Sequence, residues 1–141
     1  MVYILDTNII LRTLIKDDDQ VLADCVELLG MVKCNKIEAV LPGIVLSEVV
    51  WVLLSFYKFP KTQVVKALKS VLKLSGLKLV DNYDYEQAIK LYENNQVKYV
   101  DCVIASLVTS RDFTVISYDK DFDKLKVKRL EPGSFRYKSS V

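Results

Sequence analysis

The feature that most constrains this chain is an alternation of short, β-branched apolar runs with longer stretches of helical periodicity. Strand-like runs lie at residues 2–5, 38–41, 77–80, 113–117 and 127–130. Helical patterns cover 9–15, 19–32, 44–57, 62–74, 85–94 and 101–110, with a short turn at 122–125. Strands separated by helices are joined by crossovers, which suit parallel pairing. The order predicts an α/β fold, with a mainly parallel central sheet of about five strands and helices on both faces. The 141 residues suffice for one core, and no repeat or linker divides them, so a single domain over 1–141 is expected. Residues 132–141 read as a loosely ordered tail.

Several chemistries are excluded by composition. Histidine is absent, which removes the Ser-His-Asp triad, the Cys-His pair and the HExxH zinc site. The four glycines stand far apart, so there is neither a P-loop nor a GxGxxG fingerprint. Cys25, Cys34 and Cys102 are unclustered; they argue for a reducing compartment and read as small buried hydrophobes. No leader pattern precedes the first strand-like run, and the longest apolar stretch, near 43–54, is interrupted by Ser47 and Glu48. A cytoplasmic protein without membrane contact is expected. Twenty basic and 18 acidic residues leave a net charge of +2, too little to argue for a nucleic-acid partner. What remains for chemistry is carboxylates.

In a parallel α/β sheet, strand C-termini and the following helix N-termini share one edge, where sites form. Asp6 follows the first strand, and Asp119 and Asp121 follow the fourth. Asp101 opens a helix whose other positions are nearly all apolar. Glu48 lies in IVLSEVVWVLL, a run apolar almost all round and therefore expected to be buried. Read singly, each acid has a structural explanation: a cap for Asp101, turn chemistry for Asp6, a solvated turn for Asp119 and Asp121, a basic partner for Glu48. Together, four carboxylates at one edge repel one another. A hard cation with oxygen ligands removes that conflict, and Mg²⁺ or Mn²⁺ fits.

Four segments, LDTNIIL at 5–11, SEVVWVL at 47–53, DCVIASL at 101–107 and ISYDKDF at 116–122, resemble the acidic motifs of the PIN-domain nucleases. Their order and spacing are similar to those of VapC-like toxins. The resemblance implies a metal-dependent endoribonuclease that hydrolyses RNA, with Asp6, Glu48, Asp101 and Asp119 as catalytic metal-site acids. It implies supporting roles for Asn8, Ser117 and Asp121. It further implies a homodimer and a small antitoxin partner whose segment enters the acidic crevice. Cys102 stands where alanine is frequent and Ser117 where threonine is frequent, and neither departure removes a ligand.

Other charged groups carry weaker signals. Between 57 and 80 there are six lysines and no acid, with Lys66, Lys69 and Lys73 on one helix face opposite Val64, Leu68, Val71 and Leu72. These lysines are candidates for RNA phosphate contact, as is Arg12, one turn after Asn8. A second basic run comprises Lys124, Lys126, Lys128 and Arg129, with Arg136 and Lys138 beyond. Asp17, Asp18 and Asp19 precede a helix and read as capping and solvation; Asp84 with Gln87 reads as a capping pair. Competing functions are a haloacid-dehalogenase-like phosphohydrolase, a receiver-like signalling domain and a catalytically idle PIN-like RNA-binding module. The first needs a second acid where Asn8 stands, and the second needs adjacent acids after strand one.

Overall fold

The computed structural model describes residues 1–136. Five strands form one all-parallel sheet in the order β3-β2-β1-β4-β5: β1 (Val2–Leu5), β2 (Glu38–Pro42), β3 (Leu77–Val80), β4 (Thr114–Ile116) and β5 (Arg129–Leu130). Seven α-helices connect and cover them: α1 (Thr7–Leu14), α2 (Asp19–Lys33), α3 (Gly43–Trp51), α4 (Lys61–Leu72), α5 (Tyr85–Asn94), α6 (Tyr99–Arg111) and α7 (Asp121–Lys124). The expected α/β architecture is the observed one.

The three central strands are buried on both faces, and this explains their near-continuous apolar runs. Ile4, Leu5, Ala39, Leu41, Val115 and Ile116 are wholly inaccessible. The chain turns back across the sheet between β1 and β4, which are neighbours although more than 100 residues separate them. Crevices form at such a switch point, beyond the strand C-termini. Gly76, just before β3, is required by close approach. A Cβ there would lie 2.5 Å from the Val32 carbonyl oxygen and 2.8 Å from that of Ile37.

Several local expectations are corrected. The helix expected at 44–57 is not continuous: α3 passes at Trp51 into a π-helical turn, Val52–Phe56. It is not buried all round either, because Trp51, Leu54, Phe56 and Tyr57 face solvent. Helix α6 starts two residues before Asp101, so Asp101 is its third residue and not its cap. Leu72 is exposed rather than packed beneath the lysine face, and Cys34 is exposed while Cys25 and Cys102 are buried.

The C-terminal segment is docked as far as it is described. Pro132–Phe135 forms a 3-10 turn, Phe135 is buried edge-on to Tyr3 at 5.1 Å, and Arg136 makes two 2.7 Å bonds to the buried Asp24. Those bonds hold the Asp24 carboxyl below its usual range. Lys138 and the rest of the expected loose tail lie outside the described residues. The capping expectations are met: Asp18 accepts from the Gln20 and Val21 amides, and Asp84 from the Gln87 amide. Among the described residues no helix is long and apolar enough to cross a membrane.

Candidate active site

The register of the two central strands builds the site. Leu5 pairs with Ile116, so the next residue on each strand, Asp6 and Ser117, emerges at the same edge. The Asp6 amide donates to the Ile116 carbonyl at 3.2 Å and holds the junction closed. Asp6 is also the N-cap of α1, its Oδ1 accepting from the Thr7 amide at 2.7 Å. Capping chemistry and site chemistry therefore reside in one side chain.

Ser117 is the hub. Its Oγ donates to Asp6 Oδ2 at 2.6 Å and accepts from the Asp119 amide at 2.9 Å and from Asn8 Nδ2 at 3.1 Å. Asn8 Nδ2 also reaches Asp6 Oδ2 at 3.1 Å. Asp119 Oδ1 in turn accepts from the Asp121 amide at 2.9 Å, which fixes the turn into α7. Asn8 and Ser117 thus both bond to the Asp6 carboxylate and orient it.

The carboxylates converge. Asp6, Glu48, Asp101 and Asp119 line one cavity of about 270 Å³. Oxygens of Asp101, Asp119 and Asp121 lie within 4.8 Å of one another. Asp121, expected in a supporting role, belongs to this group but does not line the cavity, while Asp6 and Glu48 line the cavity beside Asp101 and Asp119. Asp101 Oδ2 is buried without a hydrogen-bond partner. A carboxylate that has an orphaned buried oxygen and stands next to two further carboxylates carries a cost that a hard cation would remove. The donor set, all oxygen, fits Mg²⁺ or Mn²⁺.

The electrostatics express the same conflict. Burial, foremost, pushes the Asp6 carboxyl up to about 6; bonds from Ser117 and Thr7 oppose this, and the charges of Glu48 and Asp119 add to it. Asp101 is pushed up to about 7, again first by burial and then by Asp6 and Asp119, against the pull of Lys98. Glu48 has the basic partner weighed for it: Lys98 Nζ lies 3.6 Å from Glu48 Oε1. Lys124 pairs with Asp121 at 2.9 Å.

Sequence reasoning missed Lys98 and the aromatic wall. Lys98 is the one cation lining the cavity among the described residues, and Trp51, Phe56 and Tyr57 line it together with the acids. Lys98 precedes Asp101 by three residues, a one-turn spacing that was a readable signal. Trp51 had the same signal, three residues after Glu48, whereas Phe56 and Tyr57 had none, because their placement depends on the π-turn.

The basic side chains expected to contact RNA lie apart from the acidic cavity. Arg12 does not line the acidic cavity; it pairs with Asp17 at 3.0 Å. Lys66, Lys69 and Lys73 share a shallow hollow along α4, apart from the acidic cavity. Most of the second basic run is engaged in ion pairs: Lys124 with Asp121, Lys128 with Asp112, Arg129 with Asp123 and Glu131, and Arg136 with Asp24. A larger, mostly apolar cavity of about 510 Å³ between α1, α2 and α4 carries no carboxylate and offers no such chemistry.

Residues 3–128 match the PIN domain family. The chain belongs to the PIN-domain family. This PIN domain is similar in fold to VapBC2 of Rickettsia felis, a structure bound to promoter DNA, with a TM-score of 0.66 at 21% identity over 93% of this chain and 98% of that one. It is similar to PAE2754 of Pyrobaculum aerophilum, with a TM-score of 0.70 at 11% identity over 99% and 96%. It also resembles VapC20 of Mycobacterium tuberculosis, a toxin that cleaves the sarcin-ricin loop, with a TM-score of 0.65 at 14% identity over 89% and 95%. No curated protein sequence matches it. The acidic cluster of this chain is consistent with the nuclease site of such domains.

Proposed function

We propose that this PIN domain is a Mg²⁺- or Mn²⁺-dependent endoribonuclease and the toxin of a toxin–antitoxin pair. The observation that carries the reading is that Asp101, whose buried Oδ2 has no hydrogen-bond partner, brings a carboxylate oxygen within 4.8 Å of oxygens of Asp119 and Asp121. Likeness to toxins such as VapC20 supports RNA as the substrate. Likeness to chains crystallised as VapBC pairs supports a small antitoxin. A homodimer is part of the same reading.

Asp101, Asp119 and Asp121 would hold the cation, with Asp6 and Glu48 adding charge from the cavity wall. When bound, such a cation lowers the pKa of a water and offsets charge on the phosphodiester. The residues themselves supply position. Ser117 Oγ and Asn8 Nδ2 keep Asp6 aimed at the cavity, and the Ser117 bond to the Asp119 amide fixes the turn that carries Asp119. Lys98, at the rim beside Glu48, is the cation available to a non-bridging phosphate oxygen. The phosphohydrolase alternative loses support, because the Asn8 amide is committed to Asp6 and Ser117 and cannot serve as a general acid.

The test is RNA cleavage by metal-stripped protein, with and without restored Mn²⁺, for wild type and Asp101→Asn. Cleavage that needs the metal and vanishes in the variant is expected. Undiminished cleavage in excess EDTA, or wild-type turnover by Asp101→Asn, overturns the proposal. A well-folded wild type that binds RNA but never cuts it, with metal present, is an idle binding module.

A further inference from the structure

Part of the wall of the acidic cavity is aromatic and open to water. Trp51 is 65% and Phe56 71% exposed, and Tyr57 lies beside them, its ring 4.8 Å from that of Phe56 in an edge-to-face contact. In a continuous α-helix, residues five apart point roughly 140° away from each other, so Trp51 and Phe56 would face different sides. The π-turn changes this. The Tyr57 amide donates to the Val52 carbonyl at 3.1 Å, an i→i+5 closure that brings positions five apart back to one side. Both such pairs, Trp51 with Phe56 and Val52 with Tyr57, line the cavity that also holds Asp6, Glu48, Asp101 and Asp119. An extra residue in a helical turn costs hydrogen-bond geometry, and here its result is large apolar rings left in water beside a carboxylate cluster.

We infer that Trp51 and Phe56 form a stacking subsite for an unpaired RNA base next to the phosphodiester bound at the acids. The inference rests on the ribonuclease reading and names the form of its substrate. One cavity presents exposed aromatic rings together with carboxylates that take a phosphate through a cation. A matching ligand joins a flat apolar group covalently to an anion, and a nucleotide unit does this. The base must be unpaired, because the faces of a stacked, paired base are not available to protein rings. Stacking on aromatic side chains tolerates every base, so the subsite selects single-stranded over duplex RNA rather than a sequence. A protein segment of purely apolar character covers the rings but leaves the carboxylates without a counter-charge.

Trp51 is the single tryptophan of the chain, so its emission reports on the subsite directly. The experiment titrates Asp101→Asn protein, with Mg²⁺ present, with a short single-stranded RNA, the same RNA carrying one abasic position, and its duplex. Trp51 emission and the anisotropy of end-labelled RNA are both read. Single strands are expected to quench the emission and to bind more tightly than the abasic or duplex forms. Trp51→Leu and Phe56→Leu, each added to the Asp101→Asn protein, should weaken single-strand binding about tenfold, within the range measured for base–aromatic stacking. Trp51→Phe should restore most of it, and Mn²⁺ affinity measured in the otherwise wild-type background should not move. If single-stranded RNA binds equally well to the leucine variants and leaves the emission unchanged, the subsite is wrong while the nuclease reading stands. If RNA binds neither these variants nor the wild type with Mg²⁺ present, the nuclease reading itself fails. Emission that is already blue-shifted, insensitive to RNA and dependent on protein concentration assigns the rings to a contact between copies and overturns the inference.

Discussion

Ser117 Oγ lies 2.6 Å from Asp6 Oδ2, joining two residues 111 positions apart across the C-terminal edge of the sheet. The contact depends on the parallel register that sets Leu5 beside Ile116. It leaves the serine with three bonds: one donated to Asp6 and two accepted, from Asn8 and the Asp119 amide. The hydroxyl is wholly buried, so none of the three has water as a substitute.

Ser117→Ala should therefore do more than remove one hydrogen bond. Asp6 loses a donor to its carboxylate and the Asp119 amide loses its acceptor. Metal-free stability is expected to fall by about 1–3 kcal/mol, the cost of unsatisfied buried polar groups. Mn²⁺ affinity should drop about 10–100-fold, as for other groups that orient metal ligands. Denaturant unfolding and calorimetric titration with Mn²⁺ check the two effects separately.

The pH dependence has a definite sign. Asp6 and Asp101 are raised from 3.8 to about 6 and about 7. Between those values the folded state binds more protons than the unfolded chain. Their contribution to metal-free stability is thus complete below 3.8 and is lost as pH rises towards 7. The two charges interact, so the apparent values belong to the cluster. Asp101→Asn isolates the effect, because Asp101 Oδ2 has no hydrogen bond to lose, whereas both oxygens of Asp6 are engaged. The variant should gain stability relative to wild type as pH is raised from 4 to 8 in a series of thermal melts, roughly the range over which such groups titrate. Equal pH profiles for the two proteins would show that Asp101 is already neutralised by something else.

Metal should reverse the same loss. Mn²⁺ at a hundredfold excess over its dissociation constant should stabilise the wild type by about 2.7 kcal/mol. Asp101→Asn should show a much smaller shift in melting temperature on the same addition.

Lys98 makes opposite demands on metal and RNA. It lies 3.6 Å from Glu48 and pulls the Asp101 pKa down, so it competes with a cation. Lys98→Gln should tighten Mn²⁺ binding several-fold, since a Coulomb repulsion of about 1 kcal/mol at short range is removed. RNA affinity should weaken, with the slope of log affinity against log salt shallower by about 0.7, the value for one single-strand phosphate contact. Weaker Mn²⁺ binding in the variant would show that the lysine organises Glu48 rather than opposing the metal.

The C-terminal segment is expected to be part of the folded core. Phe135 is buried edge-on to Tyr3 of β1. Phe135→Ala should cost about 3–5 kcal/mol in denaturant unfolding, the usual range for emptying a buried aromatic site. A loss under about 0.5 kcal/mol, that of a surface substitution, would show that the segment detaches.

Much of this was legible in the chain because it depends on local periodicity. β-branched runs separated by helical patterns specify strands, crossovers and hence a parallel sheet, and the strand ends place Asp6, Ser117 and Asp119 on one edge whatever the details of packing. The caps at Asp18 and Asp84 were readable for the same reason, since a cap bonds amides two or three residues away. Tertiary structure alone decided the rest. A docked residue such as Phe135 and an ion pair such as Arg136 with Asp24, 112 positions apart, leave no periodic trace. Nor did the chain announce that Asp121 joins Asp101 within 4.8 Å, that Lys98 reaches Glu48, or that one turn of α3 widens. Each depends on where helix axes cross after packing, and a shift of one residue in a helical turn swings a side chain by roughly 100°, enough to move Phe56 from one side of the helix to another.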